Sequence, residues 1–384
     1  MSFNTLLTST SIPAQWTAAV DSERVPQAVL LAGSTGAEIL PLALKLVEYL
    51  QCSDRKPGVE GGFGESCGIC DSCRSHKKLT HPDVHFTFPV VGTGVTSANM
   101  LPQWREEILA NPYLDHSAWL RAQTKDNKQG NINRDEVMRI LHDVSLQRFT
   151  DGYKVVMIWG AEYLGDESNR LLKVIEEPPA KTLILLLTTR FERILPTITS
   201  RCRIYRLPPA PTAGIANLLE QRGLDHDRAL QLAYAADGDI GRAIASAAHQ
   251  ATEQTVDLAT WLRECFAGKG APITQSAVKL ATLTREEQKH FLLNALRFVR
   301  ELGVACAGTP QPLRLAPSDA QVANKLAALV TWPQLTALAD ELNRLLAAVE
   351  RNANGKIAFA ATSIRIHHIL TRQHSEPKPV RRVS

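Results

Sequence analysis

At 384 residues the chain is too long for one ordinary core, and two or three domains are expected. With 44% hydrophobic and 21% charged residues the composition is that of a globular protein, and no apolar run approaches the roughly 20 residues of a membrane helix. A net charge of +4 tolerates nucleic acid without requiring it, and residues 1–10 lack the basic stretch and apolar core of a secretory signal, so a cytoplasmic location is expected.

The apolar run 28–32, closed by Gly33, reads as a buried strand, because parallel strands covered on both faces lose the usual alternation. A loop follows over 33–38, then a helix over 40–50 with Pro41 tolerable in its first turn. Residues 52–82 form a glycine-rich insert, and 84–91 a further strand. Residues 92–133 are polar and irregular around a short amphipathic piece at 104–109. They read as a surface insertion that gives no role to Trp104, Trp119 or the stretch 125–130. Asn133 caps a helix over 134–147 whose Val137, Ile140, Leu141 and Val144 share one face. Strands at 154–159, 183–188 and 203–207 alternate with a helix over 168–177, stopped by Pro178 and Pro179. This alternation through residue 208 predicts an α/β domain with a parallel sheet. Beyond Pro208, Pro209 and Pro211 the pattern is helical. Short helices are expected at 212–221, 227–236 and 240–250, amphipathic ones at 285–302, 332–349 and 359–370, and disorder in the tail, 375–384.

A phosphate-binding loop between strand and helix needs glycines that turn backbone N–H groups toward the phosphates, a lysine to neutralise them and a hydroxyl for Mg²⁺. The first strand–helix junction keeps Gly33 and Gly36. Placed by Gly33, Glu38 takes the last glycine position, Ile39 the lysine position and Leu40 the hydroxyl position. Ile39 cannot supply a cation, and a carboxylate about 4 Å from a phosphate charge costs about 4 kcal/mol at an effective dielectric of about 20. The strand at 154–159 ends in the same way. Trp159 and Gly160 stand where an ATPase needs one carboxylate for Mg²⁺ and one to orient water, and Glu162 comes too late to replace them. ATP is not expected to bind productively, and the chain by itself is not expected to be an enzyme. The same two glycines would also serve a plain strand-to-helix turn.

Leu171-Leu-Lys-Val-Ile-Glu-Glu-Pro-Pro179 leads through the apolar run 182–189 to Thr199-Ser-Arg-Cys202, so Arg201 is presented past a buried strand. Adjacent helical residues such as Glu176 and Glu177 point about 100° apart and do not face one substrate atom. Local ion pairs to Lys173 and Arg170 are expected of them.

Cys52, Cys67, Cys70 and Cys73 give the spacing C-x14-C-x2-C-x2-C. Four thiolates make a closed tetrahedral Zn²⁺ site, which can order an insert that has little core of its own. Clustered cysteines without an export signal favour metal over disulfides. His76 and His81 are not needed as ligands, and a closed thiolate set leaves no open position for metal catalysis.

With Asn169-Arg-Leu-Leu-Lys-Val-Ile-Glu-Glu-Pro-Pro179, Leu195-Pro-Thr-Ile-Thr-Ser-Arg-Cys202, the cysteine cluster before His81-Pro-Asp83, and Arg351-Asn-Ala-Asn-Gly-Lys356, the chain resembles a known family. This is the delta-prime subunits of the bacterial DNA polymerase III clamp loader, in the clamp-loader branch of the AAA+ proteins. The resemblance covers most of residues 24–370, and 171–202 is its specific part. It implies an AAA+ P-loop-type α/β domain over 1–208 with a zinc module at 52–82, a small helical lid domain over 209–254, and an all-α collar domain for oligomerisation over 255–374.

It also implies a non-catalytic stator in a hetero-oligomer, an accessory subunit of a DNA-directed DNA polymerase holoenzyme. Such a subunit helps load the sliding clamp onto primed DNA in replication. Gamma/tau-type motor subunits and the clamp-opening delta subunit would be its partners, with the clamp and primed DNA reached through the complex. Arg201 would be an arginine finger acting in trans on ATP held by a neighbouring motor subunit. A planar guanidinium suits a γ-phosphate in a loose transition state. Without the motif, Arg201 reads as an arginine that caps a strand end or pairs with a surface acid.

Thr188 or Thr189 falls at the family's polar sensor position. Gly238-Asp-Ile-Gly-Arg-Ala243 resembles its second sensor, but Arg242 is displaced by one with Gly241 in its place, so it is not assigned to phosphate. Two alternatives stay open. One is an active ATPase motor of the same ring, against which the missing lysine and acids weigh. The other is a zinc-dependent nucleic-acid-binding adaptor, to which the basic Arg74, Lys77 and Lys78 point.

Overall fold

The computed structural model describes residues 6–8, 11–58, 63–92, 94–123, 130–248, 258–283, 285–308, 313–315, 317–351 and 353–371. The chain divides into two compact units, 1–247 and 248–384.

In the first unit, α1 (Ile12–Asp21) precedes β1 (Ala28–Gly33), α2 (Ile39–Gln51) and α3 (Asp71–Lys77). Then come β2 (Val84–Thr87), α4 (Ser97–Ala110), α5 (His116–Gln123) and α6 (Arg134–Ser145). The elements β3 (Lys154–Trp159), α7 (Leu172–Glu176), β4 (Thr182–Thr188), α8 (Pro196–Thr199) and β5 (Arg203–Leu207) complete the layer. The five strands form one parallel sheet in the order β2-β3-β4-β1-β5, with Leu30 opposite both Leu186 and Ile204. Successive side chains leave opposite faces of a strand. Val29, Leu31, Met157 and Leu185 share a core with α1, α2, α4 and α5, whereas Leu30, Val156, Ile158 and Leu186 share one with α6, α7 and α8. Covering on both faces is why the strands are unbroken apolar runs in the sequence.

Three local expectations are corrected. The strand expected over 84–91 ends at Thr87. Pro89 has no N–H for a ladder, and Val90 instead bridges Asn131 in antiparallel fashion. The helix expected over 168–177 is a 3₁₀ segment, Gly165–Leu171, that runs into the single-turn α7. The described residues of the stretch 92–133 are not irregular but include α4 and α5. A capping box between Thr96 and Asn99 opens α4, and both tryptophans are fully buried. Trp104 stacks on Phe88 at 4.9 Å between ring centres, and Trp119 meets the same ring edge-on at 5.3 Å. The fully buried Glu136 of α6 accepts Thr87 Oγ1 at 3.0 Å and Ser97 N at 2.8 Å, tying β2 and α4 together. Most of the stretch 125–130 lies outside the described residues.

After β5, α9 (Thr212–Gln221), α10 (His226–Ala236) and α11 (Ile240–Ala248) gather around Ile215, Leu219, Ala233 and Ile240. The second unit is helical in its described residues. It comprises α12 (Leu258–Ala267), α13 (Gly270–Thr282), α14 (Arg285–Cys306), α15 (Pro317–Ala327), α16 (Trp332–Glu350) and α17 (Gly355–Thr371). Its core includes Trp261, Phe298, Leu342 and Phe359, and Trp261 Nε1 donates to Ser363 Oγ at 2.9 Å. The tail expected at 375–384 lies outside the described residues; among these, no helix is long and apolar enough to cross a membrane.

Replacing Trp104 by Ala should lower the unfolding free energy by about 3–5 kcal/mol, as for other buried aromatics. Urea denaturation reads this as a lower midpoint at unchanged slope. A wild-type midpoint would mean that the inserted helices are not part of the core.

Candidate functional site

In open α/β sheets, ligands bind in the crevice outside the carboxyl ends of the strands. Here that crevice is a cavity of about 30 Å³, lined by Gly36, Ile39, Tyr113, His116, Trp159 and Thr188 among others. This is small beside the roughly 300–1,000 Å³ of a typical small-molecule site. The loop from Gly33 through Gly36 to Ile39 and Leu40 reaches the strand ends, and Gly36, Ile39 and Leu40 line this cavity.

Glu38 is 0% exposed. Its Oε1 accepts the amide of Leu7 at 3.0 Å and its Oε2 that of Thr8 at 2.7 Å. The Tyr113 hydroxyl faces the same carboxylate, and burial together with Glu38 pushes the tyrosine up to about 12. The acid at the glycine position is therefore engaged with the N-terminal segment. Ile39 and Leu40, which the sequence reading sets at the cation and hydroxyl positions of a phosphate loop, are buried apolar residues. Lys45, lower on α2, is buried as well: desolvation pushes its ammonium down to about 8, while Glu38, Glu48 and Glu65 pull it back up.

At the end of β3, Trp159 is buried against His116, with ring centres 4.2 Å apart. Burial lowers the His116 pKa, opposed by Glu162 and Asp115. Glu162 Oε1 accepts both the amide (3.2 Å) and the hydroxyl (2.9 Å) of Thr189, so the candidate sensor threonine is held by a carboxylate. The segment resembling a second sensor lies on the loop. Ile240 N donates to Gly36 O at 3.2 Å, and Asp239 Oδ1 caps α11 by accepting Arg242 N at 2.9 Å. Gly36 has φ +76°, and a Cβ there would lie 2.0 Å from Asp239 Oδ1. Desolvation raises the Asp239 pKa. Sequence reasoning missed Tyr113, His116 and Asp239. Asp239 carries a capping signal ahead of a helix, but nothing in the local pattern of these three residues places them at one crevice.

Arg201 follows α8 on the surface. Its Nε donates to Glu176 Oε2 at 3.1 Å and its Nη1 to Thr197 O at 3.0 Å. The partner of Glu176 is thus Arg201, not Lys173 or Arg170; Arg170 pairs with Glu167 at 2.7 Å. The Arg201 and Glu176 side chains are 35% and 57% exposed, and exposed pairs contribute about 0–1 kcal/mol.

The Sγ atoms of Cys52, Cys67, Cys70 and Cys73 lie within 4.8 Å of one another. Backbone N–H groups point at three of them: Cys67 N at Cys52 Sγ (3.3 Å), Cys70 N at Cys67 Sγ (3.4 Å) and Cys73 N at Cys70 Sγ (3.4 Å). Such donors favour thiolates. Burial pushes Cys52 and Cys73 up; for Cys70 burial is outweighed by hydrogen bonds from Cys73 and Ser53, which bring it to about 6. This donor set can hold a soft metal ion such as zinc. Lys77 Nζ pins the turn at Gly68 O, 2.7 Å away. His76 and His81 stack at 4.8 Å outside the four-thiol group. His81 Nδ1 accepts Asp83 N at 3.2 Å, and Asp83 in turn accepts the amides of Phe149 (2.6 Å) and Thr150 (2.8 Å).

The sequence model of the family described as "DNA polymerase III, delta subunit" matches residues 9–211. The chain is 26% identical over 230 residues to DNA polymerase III subunit delta' of Escherichia coli, covering 59% of this chain and 56% of that protein. Against subunit delta' of Haemophilus influenzae it is 29% identical over 181 residues, covering 47% and 42%. Against subunit gamma/tau of Mycobacterium tuberculosis it is 26% identical over 234 residues, covering 60% and 33%. The chain spans about half the length of the delta' relatives it matches.

The thiol cluster should take up one Co²⁺ or Zn²⁺ per chain, with thiolate-to-cobalt charge-transfer absorption in the Co²⁺ form. Cys67→Ser should lose that band. A folded protein that binds neither ion would remove the metal site.

Proposed function

Since this chain belongs to the family described as DNA polymerase III, delta subunit, we propose that it serves as the non-hydrolysing delta-prime subunit of a clamp loader. In this role residues 1–208 form an AAA+-type domain, 209–254 a lid and 255–374 a collar that joins a hetero-oligomeric ring. The ring contains gamma/tau-type motor subunits and a delta subunit, and it loads a sliding clamp onto primed DNA. Zn²⁺ held by Cys52, Cys67, Cys70 and Cys73 would brace the insert structurally, with no part in chemistry.

The observation that carries this function is the contrast between two sites. The crevice at Gly36 is small and is lined by Asp115 and by apolar side chains such as Ile39 and Leu40 where a nucleotide needs donors and a cation. Arg201 stands exposed, tied down by an ion pair that a phosphate outcompetes. A neighbouring motor subunit binds and hydrolyses ATP; Arg201 contributes a fixed guanidinium to the charge that develops on the transferring phosphoryl group. The similarity to gamma/tau favours an active motor as the second candidate. Ile39 and Leu40 in the loop and Trp159 at the strand end weigh against it.

In a loader reconstituted with Arg201→Ala, the subunits should assemble normally while clamp- and DNA-stimulated ATPase and the loading rate fall, the latter roughly tenfold or more. Glu176→Ala should leave loading near wild type. Unchanged loading by the Arg201 variant would remove its role as a finger.

A further inference from the structure

We propose that the chain carries a built-in replacement for a nucleotide: a clasp of Glu38, Tyr113 and the turn Asp239–Gly241 that holds helices α9–α11 closed over the loop at Gly36. This rests on the crevice binding no nucleotide. A nucleotide in such a crevice would touch both the loop and whatever lies over it. Here protein atoms make each of those bridges.

The amide of Ile240 donates to Gly36 O, joining α11 to the loop by a backbone hydrogen bond of 3.2 Å. Asp239 abuts the loop so closely that Gly36 has no space for even a methyl group. A Cβ on Gly241 would lie 2.3 Å from Tyr113 O, so the first turn of α11 rests on the backbone of the inserted segment. Tyr113 in turn faces Glu38, whose carboxylate takes the amides of Leu7 and Thr8. Leu7 and Tyr113 both pack against the apolar cluster of α9–α11, and Leu7 lies against Gly214 of α9. Three segments distant in sequence, at 7–8, 36–38 and 113, thus converge on the same small helical group. The acids lining the contact already accept backbone amides and have no donor for a phosphate oxygen. Asp115 lines the same crevice, a carboxyl group where a triphosphate needs donors or a cation.

The clasp therefore does two things at once. It excludes the ligand from the crevice, and it fixes the helical group without one. The stretch 92–133 gains a purpose: it delivers Tyr113 and His116 to the site.

Hydrogen exchange on the full chain tests this, with the Ile240 amide as reporter. In Gly241→Ala and in Tyr113→Phe, exchange at residues 240–243 should rise about tenfold while β1 and β4 keep wild-type protection. Wild-type exchange at Ile240 in both variants overturns the clasp. So does loss of β1 and β4 protection in both, since the contact would then be inseparable from the general core. Mg-ATP should change nothing in the wild-type chain. Slower exchange at 33–40 with Mg-ATP would instead overturn the absence of nucleotide binding, a distinct failure.

Discussion

Glu38 places a fully buried carboxylate at the residue that begins α2, and a buried charge must be answered by hydrogen bonds or it destabilises the fold by several kcal/mol. The answer comes from the amides of Leu7 and Thr8 and from the hydroxyl side of Tyr113. These groups have to be brought there: the N-terminal segment must fold back across the loop, and the inserted stretch must descend to the strand ends. A favourable anion near a helix N-terminus is thus supplied from within the chain. Beside it Ile39 and Leu40 are core residues, and Trp159 is buried against His116.

The outward-facing features are built independently of that arrangement. Arg201 sits on a short helix end beyond the sheet and is restrained by contacts that cost little to break. The four thiols cluster in an insert whose described residues contribute little to the sheet's core. The insert is nevertheless connected to that core: the His76–His81 stack leads to Asp83, and Asp83 fixes the backbone of Phe149 and Thr150 beside β3. A metal held by the thiols would therefore brace a path into the α/β layer.

The sheet was legible because parallel strands buried on both faces leave unbroken apolar runs, as at 28–32, 154–159 and 182–188. The thiol group was legible because turn spacing dictates which sulfurs can meet. That Ile39 offers no cation was read directly from its alkyl side chain, and the structure places it buried. The helices of the stretch 92–133 were harder to see. The buried residues of α4 are Ser97, Trp104 and Ile108, too sparse for a clear apolar stripe. Trp104 is buried because Phe88 waits opposite it, a pairing that no local window contains. The same holds for the crevice. Glu38 was visible as an acid in the wrong place, but its pairing with residues 30 and 31 positions earlier depends on how the N-terminus returns. The expected partners of Glu176 followed helical spacing, whereas the observed partner, Arg201, lies 25 residues away across a strand.

The proposed role requires that the crevice at Gly36 take no nucleotide. Equilibrium titration of the purified full chain with Mg-ATP, followed by an assay of phosphate release, tests it most directly. No saturable binding and no turnover above the buffer rate are expected. Saturable binding with hydrolysis at a motor's pace by the chain alone would contradict it.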